Sequence, residues 1–265
     1  MSWFTAYYDA AGHPVDQRTL TLGGYLSTVP RWLIFEKKWK RQLQRENIDV
    51  FHMADFMACR GKFKNWKGRE SEQTPFLLKL AEVIHKHTRH SFGQTVILDD
   101  WKRANKEYAL AESHCSPYGL CGFFLMDRTF RHLSAIKRQF QAKFYFEDGD
   151  LNKGDLIGLM DQFIRIDPSL LASAKPNFEP KTVVPLQAAD FAMWEKFRFA
   201  KDHLEWQKQP DWQENPARVP AVRESFQALM QKDKTWGILN YERVIDFCVD
   251  FGVPKRGQHR GVKWS

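Results

Sequence analysis

The chain has 265 residues, 43% hydrophobic and 14% aromatic, which is enough to bury a large core and excludes a disordered polar chain. Its net charge of +8 suits a polyanionic partner, although it equally fits soluble proteins that bind none. No window approaches the roughly 18 consecutive apolar residues of a membrane helix, the start lacks the basic stretch of a secretory signal, and Cys59, Cys115, Cys121 and Cys248 form no C-x-x-C pair. The expectation is a cytoplasmic protein with reduced thiols and no membrane partner.

Two strands open the fold, over residues 3–9 and 19–27, with Gly12, His13 and Pro14 marking a hairpin turn. A helix follows Pro30. Its apolar stripe is Trp32, Phe35, Trp39 and Leu43, three and four residues apart, with Lys37, Lys38, Lys40 and Arg41 largely off it. After the segment 50–56 comes a loop over 60–69 that carries Arg60, Lys62, Lys64, Lys67 and Arg69 and no acid. A helix over 74–87 leads into a strand over 91–98.

The middle of the chain reads as a helix over 118–140, a strand over 143–147 and a polar turn at Asp148, Gly149 and Asp150. A helix over 153–165, a short strand near 170–175 and a helix over 185–199 follow; proline at a helix's first turn forfeits no hydrogen bond. Beyond lie a proline-bearing loop over 207–220, helical patterns over 221–232 and 242–251, and a basic tail. Residues 1–200 thus form one α/β domain with a helical insertion at about 30–90, and 201–265 a helical C-terminal extension packed on it.

That order of elements is the order of a ribonuclease H-like core, a mixed sheet flanked by helices. In it the first and fourth strands are parallel neighbours, about 4.8 Å apart, and the last helix crosses near their carboxyl ends. Asp9, Glu147 and Asp190 would then converge. Alternation puts Asp9 on one strand face with Tyr7 and Thr5, and Glu147 with Tyr145. Gln187, Asp190 and Trp194 share a helix face, and Ala188 and Ala189 permit close packing. Gathered carboxylates resist joint ionisation unless a hard cation, Mg²⁺ or Mn²⁺, sits among them, and such a cluster is how a phosphodiester-cleaving site is built.

The residues Tyr7-Tyr8-Asp9-Ala10-Ala11-Gly12, Phe51-His52-Met53-Ala54-Asp55 and Pro185-Leu186-Gln187-Ala188-Ala189-Asp190-Phe191-Ala192 resemble the proteins grouped as "domain of unknown function 3800". The likeness extends over residues 3–199, and Leu186 to Asp190 is its most specific part. It implies a ribonuclease H-like fold, an ill-defined nuclease role, and metal-binding roles for Asp9 and Asp190. The family's Asp-Glu-Ser-Gly is replaced here by Asp9-Ala10-Ala11-Gly12, which removes an acid and a hydroxyl.

The resulting expectation is a Mg²⁺- or Mn²⁺-dependent nuclease or related phosphoryl-transfer enzyme acting on DNA or RNA. Asp9, Glu147 and Asp190 would hold metal, with Asp148 or Asp150 as alternatives to Glu147. His52 and Asp55, three residues apart, would assist proton transfer or substrate placement. Lys181, Lys255, Arg256 and Arg260 would contact phosphates. The alternative is a catalytically weakened module of the same fold that binds nucleic acid or a protein partner. Glu195 reads as a solvated helix position, and His85, His87 and His90 as cations that suit a helix end.

Overall fold

The computed structural model describes residues 2–12, 18–136, 139–149, 152–166, 175–207, 223–230 and 235–257. Strand β1 (Ser2–Ala11) pairs antiparallel with β2 (Thr19–Thr28), and β2 pairs antiparallel with β3 (His90–Ile97). On its other side β1 pairs parallel with β4 (Phe140–Glu147), and β4 pairs parallel with the short β5 (Pro176–Glu179). A further strand, β6 (Trp236–Leu239), joins β3 in parallel, so the order is β5-β4-β1-β2-β3-β6. The fold is α/β and ribonuclease H-like, with the first and fourth strands side by side and parallel.

Helices cover both faces. Between β2 and β3 lie α1 (Val29–Gln44), the short α2 (Met53–Met57), a 3₁₀ turn (Gly61–Trp66) and α3 (Glu70–His87). After β3 come α4 (Leu98–Glu107) and α5 (Pro117–Ile136), and β4 leads to α6 (Lys153–Ile166). The chain continues through α7 (Val184–Gln207), α8 (Glu224–Met230) and α9 (Tyr241–Asp250). Among the described residues, no helix is long and apolar enough to cross a membrane.

The period-2 alternation of β1 divides the interior. Phe4, Ala6 and Tyr8 enter a core with Leu120, Phe123, Phe144, Phe146 and Leu156, under α5 and α6. The opposite face receives Tyr7 and Tyr25 and is covered by α1, α2, α3 and α7. The stripe Trp32, Phe35, Trp39 and Leu43 is the buried face of α1. Helix α7 lies directly on β2 because glycine makes room: a Cβ on Gly23 would lie 2.8 Å from Met193 Sδ, and one on Gly24 3.0 Å from Ala189 Cβ.

The differences from the sequence reading have local causes. Helix α3 starts at Glu70 rather than Thr74, its first turn carrying Glu70 and Glu72 against the positive end of the helix dipole. Helix α5 stops at Ile136 because Phe140 already belongs to β4, where it begins the parallel pairing with β1. Helix α4 was not expected; it buries only Leu98 and Ala104, too narrow a stripe to read. The expected strand near 170–175 and the loop over 207–220 fall largely outside the described residues. The extension after α7 also supplies the edge strand β6, which its helical patterns did not reveal.

Candidate active site

Asp9 lies one residue beyond the last β1–β4 pair, Tyr8 opposite Phe146, and faces Gly23 of β2. Because Tyr8 points under α5, Asp9 points toward α7, on the same side as Tyr7. The Tyr7 and Tyr145 rings stack on that face with centroids 5.1 Å apart. Glu147, two residues after Tyr145 on β4, continues the same side, as the alternation predicts. Asp9 is 3% and Asp190 7% exposed, so both carboxylates sit where water does little to screen them.

Helix α7 organises the rest through two polar side chains. Gln187, fully buried, accepts hydrogen bonds through Oε1 from Trp39 Nε1 (3.0 Å) and from the Phe51 N–H (3.1 Å). Its Nε2 donates to the Lys181 carbonyl at 3.3 Å. One helical turn on, Asp190 Oδ2 accepts from the Met53 N–H at 2.6 Å. The segment around His52 and the turn bearing Lys181 are therefore both fastened to α7, and Phe51, Met53 and Phe56 anchor the former in the core.

Lys181 reaches in between the acids, with Nζ 3.2 Å from Asp190 Oδ1 and 3.5 Å from Asp9 Oδ2. The other oxygen of Asp9, Oδ1, accepts from the Ala10 N–H at 2.8 Å. Asp9 Oδ2 itself is buried without a hydrogen bond. His52 stands beside the group, Nε2 3.7 Å from Asp190 Oδ1 and Nδ1 2.8 Å from Asp55 Oδ2. Arg60 closes the line, its Nη2 3.3 Å from Asp55 Oδ1.

The electrostatics follow from those positions. Burial drives the Asp9 carboxyl up to about 8; Asp190 and Glu147 push it the same way, against Lys181 and the Ala10 N–H. For Lys181, burial works against the charge but is outweighed by Asp9, Asp190 and Glu147, and the pKa of its ammonium is raised. Asp55 lies below the ordinary carboxylate range, chiefly through its hydrogen bond with His52. Three carboxylates against one ammonium leave the cluster short of positive charge. It can take up a proton at Asp9 or a cation.

The structure thus brings together Asp9, Asp190, Lys181, His52 and Asp55, with Glu147 close enough to act on Asp9 and Lys181. Asp148 instead pairs with Lys153 at 2.6 Å, and Asp150 lies outside the described residues. Among the described residues, no group of three or more His, Cys, Asp or Glu side chains is gathered so that it could hold a metal ion. The Lys181 ammonium lies between the two most buried acids.

Other expected contacts lie elsewhere. Lys255 sits over the Tyr108 ring at 5.4 Å, and Arg256 donates to both Glu112 carboxylate oxygens at 2.8 Å, so they pack against residues 105–112 on the α5 side of the sheet. Arg260 lies outside the described residues. Glu195 is not solvated: it is 1% exposed, accepts from Ser225 Oγ at 2.6 Å and lies 3.6 Å from Arg223 Nε. Burial raises its pKa, against those two partners. Its partners, Ser225 of α8 and Arg223 just before it, lie 30 and 28 positions on, which helix periodicity cannot foresee.

The sequence reading missed Gln187 as a fastening group and Arg60 as a neighbour of the site. A signal existed for Gln187. It is an amide between Leu186 and Ala188, as short of solvent as the acid at Asp190. The chain matches no protein-family model, no curated protein and no solved structure.

Proposed function

We propose that the chain is a divalent-metal-dependent nuclease or related phosphoryl-transfer enzyme acting on nucleic acid, and that it belongs to the family its Leu186 to Asp190 stretch resembles. The observation that carries the reading is Asp9 Oδ2, a buried oxygen without a hydrogen bond, in a cluster with Asp190 and Glu147 that is short of positive charge. Buried polar atoms are normally satisfied. An all-oxygen donor set is the kind that Mg²⁺ or Mn²⁺ prefers. As they stand the three are not gathered as a metal group; with Lys181 withdrawn and Glu147 drawn in, Asp9, Asp190 and Glu147 would hold the cation, which when bound would supply Lewis-acid activation of water and charge neutralisation at the leaving oxygen.

The remaining residues have roles of their own. With Nδ1–H donated to Asp55, His52 keeps Nε2 as a proton acceptor on the side of Asp190, the arrangement of a general base oriented by a carboxylate. Lys181, whose ammonium lies between Asp9 and Asp190, would serve as a donor for a phosphate oxygen once freed from them. Gln187 keeps the His52 segment and the Lys181 turn in register. The four free thiols, three buried and Cys59 half-buried, suit a reducing cytoplasm.

The test is cleavage of labelled DNA and RNA with Mn²⁺, Mg²⁺ or EDTA by the intact protein and by Asp9→Asn and Asp190→Asn. We expect metal-dependent cutting that falls by roughly 10³-fold or more in both variants, about 4 kcal/mol of transition-state stabilisation. Unchanged turnover in a folded Asp190→Asn protein would sink the assignment. A second reading, a module of this fold that binds nucleic acid or a protein without cutting, draws support from the Lys181 ammonium between the acids and from Ala10 and Ala11. Salt-dependent nucleic-acid binding by a protein that takes up no Mn²⁺ would favour it.

A further inference from the structure

The 3₁₀ turn Gly61–Trp66 begins one residue after Arg60, whose guanidinium closes the line Asp190, His52, Asp55, Arg60. Two aromatic side chains fix this turn to the body of the protein. Phe63 and Trp66, three residues apart and therefore on one side, are 3% and 1% exposed and pack against Phe51, Phe56 and Phe76. Arg69 lies over the Trp66 ring at 4.4 Å and completes the anchor.

Lys64, within the turn, and Lys67, the extended residue that ends it and whose N–H donates to the Lys64 carbonyl at 3.3 Å, are both exposed. Neighbouring cations are already engaged: Lys62 with Asp49 at 2.9 Å, Arg69 with Glu46 and Glu72 at 3.2 and 2.7 Å. Among the described residues Lys64 is in no ion pair, and Lys67 makes none within 4.0 Å but acts through space on the Glu70 carboxylate that follows the turn. Arg60 is itself 66% exposed at the side chain, and its five-donor guanidinium retains capacity beyond Asp55. No acid occurs anywhere from residue 60 to residue 69.

We propose that Lys64 and Lys67, with the exposed Arg60 before them in the chain, form a landing for the phosphate backbone of a single nucleic-acid strand beside the Asp9–Asp190–His52 site. The proposal rests on reading that site as one that cleaves phosphodiesters. Both lysines are exposed on a turn whose two aromatic side chains are buried, and that turn follows Arg60, which contacts Asp55 beside the site. Each phosphate they neutralise releases counterions, so the contacts carry a defined salt dependence.

The experiment is fluorescence anisotropy of a short labelled single-stranded oligonucleotide, titrated in EDTA over a range of salt, with intact protein and with Lys64→Ala/Lys67→Ala. Both lysines are exposed, and an unchanged melting temperature checks the fold. The plot of log affinity against log salt should become shallower by roughly 1.4 in the double variant, at about 0.7 for each contact on a single strand. Affinity at low salt should fall roughly tenfold or more, while Mn²⁺ affinity measured by calorimetry stays put. A wild-type slope in the double variant, or no oligonucleotide binding by the intact protein, overturns the proposal. The expected slope change in a protein that neither binds Mn²⁺ nor cuts would keep the landing and remove the nuclease reading.

Discussion

The two faces of the sheet are packed to different ends. Under α5 and α6 the interior is apolar, built on Phe144, Phe146, Leu120 and Leu156, and the Tyr8 hydroxyl there is paired with Thr129 at 2.6 Å. Under α7 the interior also holds Gln187, Asp190, Glu195 and Lys196, each 7% exposed or less. Burial pulls the Lys196 ammonium down to about 7, with the Trp236 ring 4.5 Å away. Burying such groups is expensive unless each is paired. A fold that needed only stability would build both faces like the first, so the polar face is where selection for chemistry is to be sought.

The contrast breaks most sharply on the apolar side. Phe146→Ala removes a fully buried ring that packs against Tyr8, Tyr118 and Phe178, and should destabilise by about 3–5 kcal/mol in urea unfolding. On the proposed reading it should leave Mn²⁺ binding unchanged in whatever fraction remains folded. On the polar side, Gln187→Leu keeps much of the volume but strands the Trp39 Nε1–H and the Phe51 N–H without an acceptor. Two unsatisfied buried donors should cost about 2–4 kcal/mol. Because those bonds also position His52 and Lys181, this variant should, if the proposed nuclease reading holds, lose cleavage beyond what its unfolded fraction explains. A Gln187→Leu protein as stable and active as the parent would show that the polar face is ordinary packing.

What could be read in the sequence divides along the same line. The α1 stripe, the β1 alternation and the helix carrying Gln187 and Asp190 were legible because each is a local period matched to a local geometry. The convergence of Asp9 with Asp190 was legible only once strand order was supplied, since 181 positions separate them. Lys181 was read as a phosphate contact, yet its ammonium lies between two acids from other elements, a relation no window contains. Glu195 looked solvated because its own helix turn does not show that α8 covers it. Strand β6 escaped for a related reason: four residues with one buried side chain become a strand because the outer edge of β3 is there to pair with.

The pH dependence of stability discriminates best between the two readings of the acidic cluster. In the folded protein Asp9 gives up its proton near pH 8, whereas in the unfolded chain it does so at the ordinary value of 3.8. Between those limits the native state binds more protons, so Asp9 lowers stability progressively as pH rises from about 4 to about 8, and no further above. Asp9→Asn, which cannot ionise, should therefore match the parent at low pH and become progressively more stable than it as pH rises toward 8. Thermal melts across that window in EDTA would read the difference. Saturating Mn²⁺ should then invert the order, because a ligand that binds only the native parent stabilises it by mass action while the amide variant gains little. If the variant is no more stable at pH 8 than at pH 4, Asp9 does not carry the strain assigned to it. If the gain appears but Mn²⁺ never inverts it, Lys181 is the cation this cluster was built to hold, and the binding module becomes the better reading.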